Sequence, residues 1–246
     1  MWDSNGVVPA GGHRVDPVSD VAVLDERAIA AAVPAPHIET VNVSKSSKVH
    51  VGTKVVCITQ NVHNKEMLKG LNETWYLRRD EWQAMPSYGE DFLKLPIGFV
   101  IIGHSAANNC EQRYRCIEAM LEVQRDHMRR GFSDIGPNFL VGGNGDVFEG
   151  RGANVFGAMV TSWNRRSISI MFLGNYVLFK PIEVQFNHTS ILLDTLVREG
   201  VLKPDYILYG QCQLLPLTVS PGPLLVSELK RFPHWNNTGK NECLPG

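Results

Sequence analysis

A histidine, a cysteine and three arginines are the side chains here whose type and setting could do chemistry. His104 closes the apolar run FVIIGH, Cys212 lies in LYGQCQ, and Ser220 lies in TVSPGP. A hydrolytic zinc needs three strongly donating protein ligands and an open position for water, whose pKa the metal lowers. Gln211 offers only a neutral amide, and Ser220 cannot become an anionic ligand near neutrality as a thiolate can. Cys212 follows Gln211 by one residue, which on a strand turns its side chain to the opposite face. Read alone, His104 is a hydrogen-bonded histidine. Arg151, in EGRG, and the pair Arg165-Arg166, ahead of SISI, carry planar guanidinium forks that match a carboxylate bidentately. Arg151 is equally suited to anchoring its hairpin. Of Arg165 and Arg166, neighbours on an extended segment, at most one faces a given side.

Several elements must position these groups. PIGFVIIGH reads as a strand, and CEQRYRCIEAMLEVQRDHMRRG as a helix with Ile117, Met120, Leu121, Val123 and Met128 along its apolar stripe, stopping at Gly131. NFLVGGNGDVFEGRG reads as a hairpin turning at Gly143-Asn144-Gly145, residues that tolerate positive φ. SISIMFLGNY is a nearly continuous apolar strand, as expected in a sheet covered on both faces. PIEVQFNHTSILLDTLVREG is a second helix, DYILYG a further strand, and PGPLLVSELKRF a closing helix with proline in its first turn. Strands alternating with helices give an α/β fold with a central mixed β-sheet flanked by helices.

Length and composition narrow the function classes. The 246 residues allow one ordinary domain plus a tail, and 43% hydrophobic content supports a real core. A formal charge of −1 argues against bulk binding to nucleic acid. No apolar run is long enough for a transmembrane segment, and the N-terminus lacks a basic region followed by an apolar one. The expected location is therefore cytoplasmic, with an extracellular ectodomain or secreted form as the alternative. Residues 1–40 read as a disordered tail, 41–74 as a β-prone motif and linker, 75–240 as the folded domain and 241–246 as a C-terminal tail. The cysteines are Cys57, Cys110, Cys116, Cys212 and Cys243, an odd number. Cys57 and Cys243 flank the domain and could pair, which sequence alone does not show. Sequons at Asn42, Asn72, Asn187 and Asn236 permit glycosylation only in a secreted chain, and by themselves decide nothing.

IIGHSA around His104, DIGPNFLVGGNGDVFEGRG from Asp134 to Gly152, LYGQCQ and TVSPGP together resemble the peptidoglycan recognition protein family. That family shares its fold with phage-type N-acetylmuramoyl-L-alanine amidases, and the resemblance covers roughly residues 75–240. It is strongest to the a-type ectodomain of an insect receptor member, through RSISIMFLGNY and YGQCQLLPLTVSPGP. Catalytic members hold zinc with two histidines and a cysteine. The resemblance places His104 at the first ligand position, Gln211 at the second and Ser220 at the third, with Pro137 where an assisting tyrosine stands; Thr218 is kept. It therefore implies no zinc, no other cofactor and no amidase activity, and it implies a disulfide between Cys110 and Cys116.

The family grips the muramyl peptide stem in a cleft beside the zinc position. By resemblance the ligand-binding residues are His104, Arg151, Ala153, Met159 and Arg166. Ala153 stands where an aromatic is usual and Met159 where a histidine is usual, which removes a stacking wall and a polar handle. Arg166 takes the place of the arginine that pairs with the extra carboxylate of diaminopimelate. The leading expectation is a non-catalytic immune recognition protein for diaminopimelate-type peptidoglycan or muropeptide, working through dimerisation with another recognition domain that holds the ligand. The alternatives are a zinc amidase and a signalling scaffold. The scaffold rests on VNVS…VHVG, whose core Val49-His50-Val51-Gly52 resembles the RHIM-like motif of long insect members, which assembles with adaptor proteins as stacked β-prone segments.

Overall fold

The computed structural model describes Leu68, residues 70–215, 217–239 and Cys243. The segment Val49–Gly52 and Cys57 lie outside the described residues. The chain order is β1 (Tyr76–Leu77), β2 (Ile97–His104), α1 (Arg113–Arg129), β3 (Phe139–Val141), β4 (Val147–Glu149), β5 (Ser167–Phe172), α2 (Glu183–Arg198), β6 (Leu202–Gly210) and α3 (Pro223–Val226). The strands form one six-stranded sheet in the order β1-β4-β3-β5-β2-β6. Every neighbouring pair is parallel except the β3–β4 hairpin, so the sheet is mixed, as its sequence pattern requires. β2 lies centrally, with Val100 and Ile102 fully buried, and β5 beside it buries Ile168, Ile170 and Phe172. Burial on both faces is why these strands read as continuous apolar runs.

The helices cover opposite faces of this sheet. α2 packs Phe186, Leu192, Leu193 and Leu196 into a core shared with Val100, Ile102, Ile168 and Phe172. α1 packs Cys116 and Met120 against Leu140, Phe148 and Leu173 in a second cluster. Its buried stripe is Cys116, Met120 and Gln124, turned from the expected apolar stripe. Gln124 is buried because all its polar capacity is used: Nε2 donates to Asp134 Oδ1 at 2.7 Å and Met85 O at 3.0 Å, and Oε1 accepts from Met85 N at 2.9 Å. A buried amide with complete partners costs little, and it frees Ile117, Leu121 and Val123 from the core centre.

The hairpin turn needs its glycine. Gly145 has φ 89°, and a Cβ there would come within 2.7 Å of Val184 on α2. Asp146 fastens the turn to α1 through Arg113 at 2.8 Å.

Two features differ from the sequence expectation. The closing helix is one α-turn, α3, followed by a 3-10 turn at Leu229–Arg231. Such short pieces hold only through packing, here of Leu225, Leu229 and Phe232 in the core. The core also takes in Leu68 and Leu71, ahead of residue 75, and Cys243, after residue 240. Trp82, at the domain's opening, is fully buried; its indole donates to Glu149 O at 2.9 Å.

Candidate functional site

β2 delivers His104 to the wall of a cleft of about 1140 Å³. The ring is only 8% exposed. Its Nδ1 accepts a hydrogen bond from the Tyr176 backbone N–H at 3.2 Å, and its own backbone N–H donates to Ser220 Oγ at 3.0 Å. Burial disfavours the imidazolium and lowers the pKa to about 4. The ring is thus neutral near pH 7, and with Nδ1 accepting, its proton sits on Nε2.

Gln211 and Ser220 converge on the same place. β6 ends at Gly210, and the following 3-10 turn, Gln211–Gln213, carries Gln211 into the cleft wall, where its amide donates to Met159 O at 3.2 Å. A Cβ on Gly103 would stand 2.9 Å from Gln211 Oε1, 2.9 Å from Met159 Sδ and 3.3 Å from Ser220 Oγ. Glycine beside His104 is what lets these three side chains crowd in. The backbone N–H of Cys212 donates to Ser220 O at 2.6 Å, coupling the Ser220 loop to the 3-10 turn.

A zinc ion does not suit this donor set. It consists of an imidazole with Nδ1 engaged, a neutral amide, and a hydroxyl that already accepts a backbone N–H. Cys212 supplies no thiolate, because it is disulfide-bonded to Cys243 and buried. That bond corrects the suggested pairing of Cys243 with Cys57. The Cys110–Cys116 disulfide forms as the family resemblance implied.

The five expected ligand residues do not gather. His104 and Met159 line the cleft; Arg151, Ala153 and Arg166 do not. Arg151 donates from Nε to Ile135 O at 2.7 Å and from Nη1 to Phe156 O at 3.1 Å, tying the segment after the hairpin to the loop before β3. Ala153 is 1% exposed, inside the core. Arg165 and Arg166 lie in a turn, closed by Arg166 N–H to Trp163 O at 2.9 Å, so strand alternation does not govern them. Arg166 instead stacks over Trp163 at 4.0 Å, and Arg165 over Phe156 at 4.6 Å.

One wall was missed. α1 and its C-cap Arg130 line the cleft, with Arg115, Glu118, Glu122, Asp126 and His127 on the helix itself. Its acidic residues at 118, 122 and 126 recur every fourth position, a signal present in the sequence. Arg115 pairs with Glu118 at 3.0 Å and Arg130 with Asp126 at 3.3 Å. His127 accepts the Gly136 N–H at Nδ1 (2.9 Å), and burial lowers its pKa.

Residues 93–223 match the N-acetylmuramoyl-L-alanine amidase family. Peptidoglycan-recognition protein SC2 of Drosophila simulans is 37% identical over 64% of this chain and 85% of its own length. Among solved structures, the complex of peptidoglycan recognition proteins LCa and LCx with tracheal cytotoxin contains a chain that is 42% identical, with TM-score 0.63, over 65% of this chain and 98% of that one. Peptidoglycan recognition protein LE bound to tracheal cytotoxin, a monomeric diaminopimelic acid-type peptidoglycan, is 33% identical, with TM-score 0.65, over 68% of this chain and 98% of that one.

Proposed function

This chain belongs to the peptidoglycan-recognition protein family, and on that premise we propose that it is a non-catalytic recognition protein for diaminopimelate-type muropeptide in innate immunity. The observation that carries the reading is the crowding of Gln211, Met159 and Ser220 beside His104. They form a neutral, hydrogen-bonding wall where an amidase would need a zinc-bound water. The cleft itself persists, and His104 directs an N–H donor toward it, suited to a carbonyl or carboxylate of a peptide stem.

Arg166 enters this reading as the group that pairs with the diaminopimelate carboxylate after leaving the face of Trp163. Cation–π stacking of this kind is worth about 0.5–1 kcal/mol at an exposed site, less than a charge-assisted bidentate pair returns. Such a rearrangement is affordable but weakens binding. The chain accordingly works beside a second recognition domain that holds the muropeptide and presents it, as the ligand-bound pair of LCa and LCx suggests by analogy.

The disulfides favour the extracellular alternative over the cytoplasmic one. Disulfides persist in oxidising compartments and are rare in the cytosol, and here two lie within the described domain. The adaptor contact of Val49–Gly52 belongs to the other, cytosolic placement.

Calorimetric titration of the full chain with a monomeric diaminopimelate muropeptide, with and without a ligand-loaded partner domain, tests the proposal. Binding in either arm that weakens in Arg166→Ala supports it. Absence of binding in both arms, or release of the peptide stem by the chain alone, would overturn it.

A further inference from the structure

We propose that Asn72 is the N-glycan acceptor of the folded domain, taking an oligosaccharide from a lipid-pyrophosphate donor when the chain passes through the secretory pathway. The inference rests on the extracellular placement argued from the disulfides, and it discriminates among sequons that sequence alone leaves equivalent. In the reaction the Asn72 amide nitrogen forms a bond to the anomeric carbon of the donor sugar. The carbon–oxygen bond to the lipid pyrophosphate breaks, the pyrophosphate leaves with the electron pair, and the amide loses one proton to a base.

Three sequons fall among the described residues, and their settings differ. Asn236 is already engaged: its Nδ2 donates to the Tyr209 hydroxyl at 3.4 Å, and its Oδ1 accepts from Thr238 N at 2.8 Å. A sugar on that nitrogen would displace the contact and press against β6. Asn187 is exposed, but it lies within α2, while Thr189 is fully buried and its hydroxyl donates to Gln185 O at 2.6 Å. Residues two apart on a helix do not face each other, so the hydroxyl and the amide of this sequon are separated once the helix forms.

Asn72 meets neither obstacle. Asn72, Glu73 and Thr74 are all exposed, and among the described residues they lie in an irregular segment just ahead of β1. The segment is nevertheless anchored, because Leu71 is buried beside it, Tyr76 N donates to Glu73 O at 3.0 Å, and Thr74 O accepts from Arg113 at 2.8 Å. A glycan here would have a defined origin and open space. No residue from 70 to 77 lines the cleft, so the sugar leaves it accessible. It would instead stand beside β1, a two-residue strand at one end of the sheet among the described residues.

The test is translation of the full chain, carrying Asn42→Gln throughout and a cleavable secretion leader, in the presence of microsomes. Protease protection and leader removal report arrival in the lumen, which separates the acceptor question from the chain's native route. The expected result is one glycosidase-sensitive mobility shift, retained in Asn187→Gln and Asn236→Gln and lost in both Asn72→Gln and Thr74→Ala. A lumenal chain with no shift, or a shift that survives Asn72→Gln, overturns the proposal. On the natural protein, a glycopeptide mapped to Asn72 supports it, and an unmodified Asn72 peptide from exported protein counts against it.

Discussion

Lowering the pH should expose the cost of keeping His104 neutral. An unfolded histidine titrates near pH 6.5, whereas the folded one titrates at about 4. Between these values the unfolded chain holds a proton that the folded chain does not, so stability is present in full above about pH 6.5 and is lost as pH falls toward 4. From pH 7 to pH 4.5 the interval is about two units, or about 2.7 kcal/mol at 1.36 kcal/mol per unit. Water in the cleft screens the ring, which brings the expectation down to about 1.5 kcal/mol. His104→Gln keeps an acceptor for the Tyr176 N–H and cannot be protonated. His127, depressed by burial, and Glu90 and Glu149, raised by burial, also move stability with pH, the carboxyls in the opposite direction. They are common to both proteins and cancel in the difference. Guanidinium unfolding of both at pH 7 and pH 4.5 should therefore show the wild type losing about 1.5 kcal/mol more than the variant. Equal losses would refute the buried, neutral histidine.

Three other outcomes are expected. Cys243→Ser opens a loop of sequence separation 31 and should cost about 3–4 kcal/mol in denaturant unfolding on the chain-entropy estimate; a change under about 1 kcal/mol would mean that the unfolded chain is already constrained there. Asn138 is fully buried and bonds Gly152 O, Val155 O, Ser169 N and Ser169 Oγ at 2.7–2.9 Å, so Asn138→Ala should cost at least about 3 kcal/mol by the same assay. Gln211→His combined with Ser220→Cys should raise zinc affinity at least about 100-fold by competition with a metal indicator, because it restores two strong donors beside His104; unchanged affinity would show that His104 is not placed to bind a metal.

The elements that run on simple periodicity were legible in the sequence. β2, β5 and the hairpin at Gly145 sit where the apolar runs and turn residues put them, and the residues around His104 pointed to the cleft. What escaped were contacts that no local pattern records. Gln124 is buried because Met85 and Asp134 complete its hydrogen bonds from 39 and 10 residues away. Cys212 has several possible partners in a chain with five cysteines, and only the three-dimensional path of the C-terminal segment selects Cys243. Arg166 looked free to meet a ligand because the turn that lays it over Trp163 interrupts the extended segment assumed there.

That C-terminal segment also sets the order in which the cleft can be completed. Trp235 lies against Leu208, Gln213 bonds Asn236 and Thr238, and Cys243 closes on Cys212. The wall carrying Gln211 and Ser220 thus takes support from residues synthesised after it. At about 5–20 residues per second, a ribosome needs roughly 2–6 s to pass from Cys212 to Cys243. During that interval the sheet and both long helices exist as sequence, but one side of the cleft has no backing. The nascent chain therefore has an interval in which Cys212 is made and its partner is not, and the wall carrying Gln211 and Ser220 then lacks that covalent tie.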